Sequence, residues 1–332
     1  MRFTFLVNDA AALQASQTTV LLIADAIQAG HEVFVTGVRD LSISEKATPY
    51  AYVQKPKASQ YSSRKELVRV LAKTPPKRVK LGDTDILMIR TNPARDQEIA
   101  WAHQLALQFA QMCHEEGVLV LNYPLGLQKA SSKFYLLGFP EIVRPRTIVS
   151  QHPEAIKSFI RKLDGPAVLK PLLGTRGSDV FFVSSIEDKN LNQIIEVILR
   201  QSALMAQAFV PGAEAGDTRV VVMNGDVLEI NGKPAAINRV PKKDELRSNI
   251  HAGGSAQPGI VTNAMLKTIK TMKPYLMNDG LSLVGLDFIG SKVIEVNAYS
   301  TGGLRDAERF HEVPFSARVI EETVAMRSKM DN

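Results

Sequence analysis

The sequence predicts an α/β fold that gives way to α+β, and three observations carry that expectation. Within residues 1–121, short apolar runs alternate with helical spacings, the pattern of a parallel sheet with crossover helices. Beyond residue 122, short strands joined by tight turns predominate, with Asn224-Gly225 and Asn231-Gly232 as turn signals, which suits antiparallel pairing. The composition, 45% hydrophobic and 22% charged over 332 residues, suits a packed core and excludes a wholly disordered chain.

The elements follow in order. Residues 2–7 alternate and carry Phe and Val, a first strand; residues 18–29 are apolar on most faces and stop at Gly30, a helix; Glu32-Val33-Phe34-Val35-Thr36 is a second strand. Residues 42–80 are polar with prolines at 49, 56, 75 and 76, and read as an excursion or mobile loop. A buried strand at 85–90, a helix over 98–116 and a strand at 118–121 complete the first unit. Further strands are expected near 143–149, 166–171, 179–183, 204–210, 218–224, 226–231, 234–240, 282–289 and 292–296. Helices are expected near 129–138, 153–163, 190–201, 260–277 and 315–328, and a mobile loop over 241–259.

Charge and cysteine content narrow the function classes. The surplus of six positive charges is mild, aromatics are 6%, and Lys/Arg are scattered, which argues against a nucleic-acid partner and suits a small polyanion. The densest basic patch, Lys73, Lys77, Arg78 and Lys80, reads as a solvated loop. One cysteine excludes a disulfide framework and a multi-cysteine metal cage. No apolar run reaches the ~20 residues of a membrane span, so no membrane partner is expected and a cytoplasmic setting is. No Gly-x-x-x-x-Gly-Lys, Gly-x-Gly-x-x-Gly after a strand, Gly-x-Ser-x-Gly or His-Glu-x-x-His occurs. Cys113 and His114 are adjacent on a helix and cannot face each other, so a plain thiol is expected.

Chemistry concentrates elsewhere. A strand delivers Lys170, and a turn with Gly174 and Gly177 follows; glycines let backbone amides approach phosphate oxygens while a lysine supplies charge. Lys133 lies after a loop and could reach the same anion. Asp217 and Arg219 share one strand face, and Asn238-Arg239 ends another strand. The strongest local signal is Gly285–Asn297, where two otherwise apolar strands carry Asp287, Glu295 and Asn297. Buried carboxylates demand a partner, and oxygen donors suit Mg²⁺. Sharing one face requires an odd hairpin loop or a bulge.

In this order, with Gln207-Ala208-Phe209-Val210 between them, these residues resemble the ATP-grasp carboxylate–amine ligases, and are most similar to the bacterial glutathione synthetases. The resemblance reaches Asp85–Arg90, Asn92-Pro93, Leu121–Pro124, Arg247–Gly254 and Asn297–Asp306. It implies an N-terminal α/β substrate domain (1–121) before a two-lobed ATP-grasp domain, with a small lobe (122–205) and a C-terminal lobe (206–332) whose lid is 241–259. It implies ATP and Mg²⁺, with Mn²⁺ as a substitute, small-molecule substrates and a homo-oligomer. Lys133 and Lys170 would hold the α- and β-phosphates, Gln207 to Val210 the adenine, and Asp217 the ribose. Arg219 and Arg239 would face the γ-phosphate and acyl phosphate, Asp287, Glu295 and Asn297 would bind Mg²⁺, and Asn249, Ser300 and Arg305 would line the acceptor side. The reaction expected is γ-glutamylcysteine plus glycine plus ATP to glutathione, ADP and phosphate. The same chemistry on another pair, such as glutamate addition to a peptide or cofactor, and a non-catalytic nucleotide-binding role are the alternatives.

Overall fold

The computed structural model describes residues 1–174, 179–241 and 254–330. The N-terminal unit holds β1 (Arg2–Val7), α1 (Thr18–Gln28), β2 (Glu32–Gly37), β3 (Leu41–Ile43), β4 (Pro49–Val53), α2 (Arg64–Lys73), β5 (Lys77–Lys80), β6 (Ile86–Ile89), α3 (Ala100–Glu115) and β7 (Leu119–Leu121). The strand order β2-β1-β6-β7 is all parallel, as the alternating pattern requires. α1 is apolar nearly all round because it is buried almost throughout, between the sheet and the C-terminal helix.

The expected loop at 42–80 is instead built structure. β3, β4 and β5 form an antiparallel sheet, and α2 lies between β4 and β5. On β4, Ala51 and Val53 turn inward while Tyr50 and Tyr52 turn out. On α2, Leu67 and Leu71, one turn apart, are buried, and the Ser63 hydroxyl caps the Glu66 amide. The prolines at 49, 75 and 76 delimit these elements instead of breaking them.

The rest contains α4 (Pro124–Lys129), β8 (Thr147–Ser150), α5 (Pro153–Arg161), β9 (Ala167–Pro171), β10 (Phe181–Val183), α6 (Leu191–Leu199) and β11 (Leu204–Ala208). The expected helix at 129–138 splits: α4 ends at Lys129 and a 3₁₀ segment runs from Lys133 to Gly138, capped by Ser132. Strands in the order β10-β9-β11-β8 form an antiparallel sheet with its own core, including Ile156, Leu169, Ile195 and Leu204.

The second large sheet uses β12 (Asp217–Met223), with the two-residue strands β13 (Asp226–Val227), β14 (Glu229–Ile230) and β15 (Lys233–Pro234) following it. Then come β16 (Ala236–Val240), β17 (Ser255–Pro258), α7 (Asn263–Asn278), β18 (Leu283–Ile289), β19 (Lys292–Asn297), α8 (Leu304–His311) and α9 (Phe315–Met330). Its order is β17-β16-β12-β18-β19. β17 occupies the end of the expected 241–259 lid, and residues 242–253 lie outside the described residues. α8 is an element the sequence reading lacked. The N-terminal unit and this lobe share two cores; one joins Leu87 and Leu127 to Leu281 and Leu286, the other Phe5 and Val35 to Phe315 and Val319. Asn122 staples the junction: its amide donates to the Leu283 and Ala298 carbonyls and accepts from the Leu283 amide. Among the described residues, no helix is long and apolar enough to cross a membrane.

Candidate active site

Four adjacent strands build a charged face. Arg239 of β16 stands opposite Asp217 of β12, and Arg219 of β12 stands opposite Asp287 of β18. Glu295 of β19 stands opposite Asp287, and Asn297 opposite Gly285. Unlike charges therefore meet between β16 and β12 and between β12 and β18, the arrangement that stabilises paired positions on a sheet, whereas Asp287 and Glu295 set two carboxylates opposite each other.

Asp287 is 0% exposed. Arg219 grips it with two parallel bonds, Nε and Nη2 each donating at 2.7 Å, and Arg239 Nη2 lies 2.8 Å from its Oδ2. Burial alone would raise the Asp287 pKa, but the two guanidiniums outweigh it and hold the carboxyl at about 2. Arg239 also donates Nε to both oxygens of buried Asp217, at 3.2 and 3.1 Å, and Nη2 to Oδ2. Burial opposes the Arg239 charge; Asp287 and Asp217 overcome it and push its pKa up. The Asp217 carboxylate is thus committed to Arg239 at the end of its strand.

The β18–β19 hairpin turns on Gly290 and Ser291, and its register shifts between Asp287 and Phe288. Asp287 pairs with Glu295 but Phe288 with Val293, leaving Ile294 as the extra residue. That bulge puts Glu295 and Asp287 on one face, and it frees the Ile294 carbonyl to accept from Lys170 Nζ at 3.3 Å. Lys170 comes from β9, so the β10-β9-β11-β8 sheet reaches the strand that carries Glu295 through this contact. Lys133 Nζ donates to the Gly174 carbonyl at 2.9 Å. Burial lowers the pKa of both lysines, Lys170 to about 8, and Glu295 pulls each back up. Glu295 makes no ion pair with a described residue.

The donor set fits a hard divalent cation. Asp287 Oδ2 is crowded by Arg219, Arg239 and the Asn297 amide, at 3.2 Å from the last, whereas Oδ1 takes Arg219 Nε alone. The Glu295 carboxylate and the Asn297 amide oxygen complete an all-oxygen set of the kind Mg²⁺ takes. Among the described residues, no three His, Cys, Asp or Glu side chains cluster as a metal site on their own. Such a cation needs further oxygens from its ligand.

Of the other expected residues, Ser300 and Arg305 line a cleft of about 1240 Å³ together with Arg219, Arg239, Glu295 and Asn297. Gln207 sits inside the small-lobe sheet between Thr147 and Val168, its amide donating to Thr147 Oγ1. Val210 lies in the linker from β11 to β12, and its carbonyl accepts from Ala213. Gly177 and Asn249 lie outside the described residues. Cys113 is buried in the core, and burial pushes its thiol up to about 12.

The opposite wall of the cleft had no assigned role in the sequence. Asn8, Arg39 and Arg90 reach it from just beyond β1 and β2 and from the end of β6. The available signal was position: polar residues at the carboxyl ends of parallel strands line ligand crevices.

Two family models cover the chain. The prokaryotic glutathione synthetase N-terminal domain matches residues 1–128, and the ATP-grasp domain of the same family matches residues 132–312. The glutathione synthetase of Thermosynechococcus vestitus is 31% identical over 327 residues, covering 96% of this chain and 98% of that protein. That of Vibrio vulnificus is 34% identical over 245 residues, covering 73% and 74%. Among solved structures, the D-cycloserine synthetase DcsG superposes with a TM-score of 0.63 at 13% identity over 99% of each chain, a likeness of fold. Matched along its length in sequence, and carrying its charged strands on an ATP-grasp scaffold, the chain belongs to the prokaryotic glutathione synthetase family.

Proposed function

We propose that the protein joins γ-glutamylcysteine to glycine at the expense of ATP. The observation that carries this reading is the convergence of Asp287, Glu295 and Asn297 on one face, with Lys133 and Lys170 beside them and Arg219 and Arg239 across the sheet. Full-length relatives supply the substrate pair.

A carboxylate resists attack by an amine. Its oxygen first takes the γ-phosphoryl group, the bond to the β-phosphate oxygen breaks, and ADP is released. The amine nitrogen then attacks the acyl carbon, the carbon–oxygen bond to phosphate breaks, and the amine gives up a proton. Phosphoryl transfer needs alignment and neutralised charge more than a protein nucleophile. In this reading Lys133 and Lys170 hold the α- and β-phosphates. The segment from Gln207 to Val210, the end of β11 and the linker after it, meets the adenine, and Asp217, through Arg239, borders the ribose side. Arg219 and Arg239 neutralise the migrating phosphoryl group. Asp287, Glu295 and Asn297 would hold Mg²⁺, which supplies Lewis-acid charge at the phosphates. Ser300 and Arg305 face the acceptor.

Phosphate release tests the pair. Stoichiometric phosphate and glutathione are expected only when γ-glutamylcysteine, glycine and ATP are all present. Release confined to glutamate as the acceptor sinks the reading.

Lys170 yields a second expectation. In the fold its pKa is about 8, against 10.5 ordinarily. The folded chain therefore binds fewer protons than the unfolded one between these values, and Lys170's contribution to stability rises with pH across that window. Triphosphate oxygens beside the ammonium restore its charge. ATP binding at pH 8.5 should thus take up a large fraction of one proton, read by calorimetry in buffers of differing ionisation enthalpy. Lys170→Met should abolish the uptake; equal uptake by the variant removes Lys170 from the phosphate site.

A further inference from the structure

α8 carries Arg305 into the cleft. The chain enters this helix at Gly303 and leaves it at Glu312, both in the left-handed region, at φ 109° and 53°. Neither flank therefore prolongs α8 as a rod, and its setting depends on what its sides touch. Leu304 and Ala307 are fully buried and share a core with Phe315 and Val319 of α9. Apolar burial is non-directional, so those contacts fix the depth of α8 and leave its rotation open. Arg305 is tied to its own helix, Nη2 donating to Asp306 at 3.3 Å, and so turns with it.

Hydrogen bonds are directional, and Glu308 supplies two of them. It stands three residues beyond Arg305, one turn along α8. Its Oε1 accepts from both the amide of Ser316, at 2.7 Å, and the hydroxyl, at 2.5 Å. Ser316 is 1% exposed and is the second residue of α9, so its amide is one of the donors that a helix start leaves without an intrahelical partner. A carboxylate there also meets the positive end of the helix. Asp25 of α1 and Arg64 of α2 face the same group. Burial raises the pKa of both carboxyls, and Ser316 draws each back down. Of the two acids, Glu308 takes both Ser316 donors, and Glu308 is the one on the helix that carries Arg305.

We infer that Glu308 is a positioning residue for the acceptor: by holding the start of α9 it sets the rotation of α8, and with it the Arg305 guanidinium that meets the carboxylate of glycine. This rests on the reading of glycine as the amine and of Arg305 as the cation on its side. Glu308 touches no substrate; it acts through the helix. Its removal therefore weakens the hold on glycine and leaves the transfer of the phosphoryl group, on the β12–β18–β19 face, as it was.

The test reads KM for glycine, KM for ATP and kcat separately. Glu308→Ala should raise KM for glycine at least about tenfold, the scale of losing a hydrogen bond to a charged group, with kcat and KM for ATP within about twofold of wild type. Glu308→Gln keeps an oxygen that can accept from both Ser316 donors, and should stay within about threefold of wild type for glycine. Ser316→Ala removes one of the two bonds, should give an intermediate KM, and serves if Glu308→Ala does not fold. Asp25→Asn alters the same cluster from α1 and should leave KM for glycine within about twofold. In an Arg305→Ala background, Glu308→Ala should add less than about twofold, because the group it orients is gone. A Glu308→Ala protein with the wild-type KM for glycine, one that loses kcat and ATP binding to the same degree, a Glu308→Gln protein no better than the alanine, an Asp25→Asn protein as poor as it, or full additivity with Arg305→Ala overturns this inference alone. Wild-type protein that releases no phosphate when glycine is supplied with γ-glutamylcysteine and ATP overturns the parent reading, and this one with it.

Discussion

Glu295→Gln protein is expected to melt as the wild type does yet to release phosphate about 10³-fold more slowly, the scale of removing one charge-stabilising group from a phosphoryl-transfer site. The two halves of that expectation come from different features of Glu295. Its carboxylate makes no ion pair with a described residue, so no buried partner is orphaned when the charge goes. It is, however, the anion that opposes the lowering of both Lys133 and Lys170. Asp287 cannot substitute for it, because two arginines already neutralise that carboxylate. Removing the Glu295 charge should also leave Lys170 with a still lower pKa and shift the required Mg²⁺ concentration upward. Phosphate release as a function of Mg²⁺, with a parallel thermal melt, checks all of this. Activity within tenfold of wild type would falsify the placing of Glu295 at the metal.

The residues of the charged face were legible because they violate the pattern around them. Asp287 and Glu295 interrupt strands that otherwise read as core, and only a compensated site tolerates that. How they come to share a face was not legible: an odd loop and a bulge were equally open. The structure uses a two-residue turn at Gly290-Ser291 with Ile294 extruded, and the bulge has a second effect, exposing a carbonyl to Lys170. The β3–β5 sheet was hidden by its prolines and charges, whose positions mark element ends. α8 opens on two glycines, which carry no helix signal of their own, and Gly303 is its N-cap residue. The N-terminal wall was hidden for a different reason. Arg90 meets Thr301 across 211 positions of sequence, and only the docking of two units makes that contact.

Removing Arg239 should be the most damaging single change to the fold of the site. Arg239→Ala takes a guanidinium from between two carboxylates that are 2% and 0% exposed, Asp217 and Asp287. Arg219 still holds Asp287, whereas Asp217 loses the guanidinium that faces it from β16. Breaking a buried pair from one side costs about 3–5 kcal/mol, and a loss of that size lowers Tm by roughly 10 °C in a chain of this length. The pH dependence has a definite sign. The guanidinium favours the ionised form of the carboxylates it touches, so the stabilisation lost with it is present only where those carboxylates are ionised. The deficit relative to wild type should therefore narrow as pH falls from 7 toward about 4. Replacing both partners separates charge from packing: Asp217→Leu with Arg239→Met removes the facing carboxylate as well and should recover most of the lost stability while staying inactive, because the cation facing the phosphoryl group is gone. Melting curves of the single and double variants decide the matter. A double variant no more stable than Arg239→Ala would mean that the arginine acts on the fold through Asp287, and that the Asp217 pair opposite it contributes little.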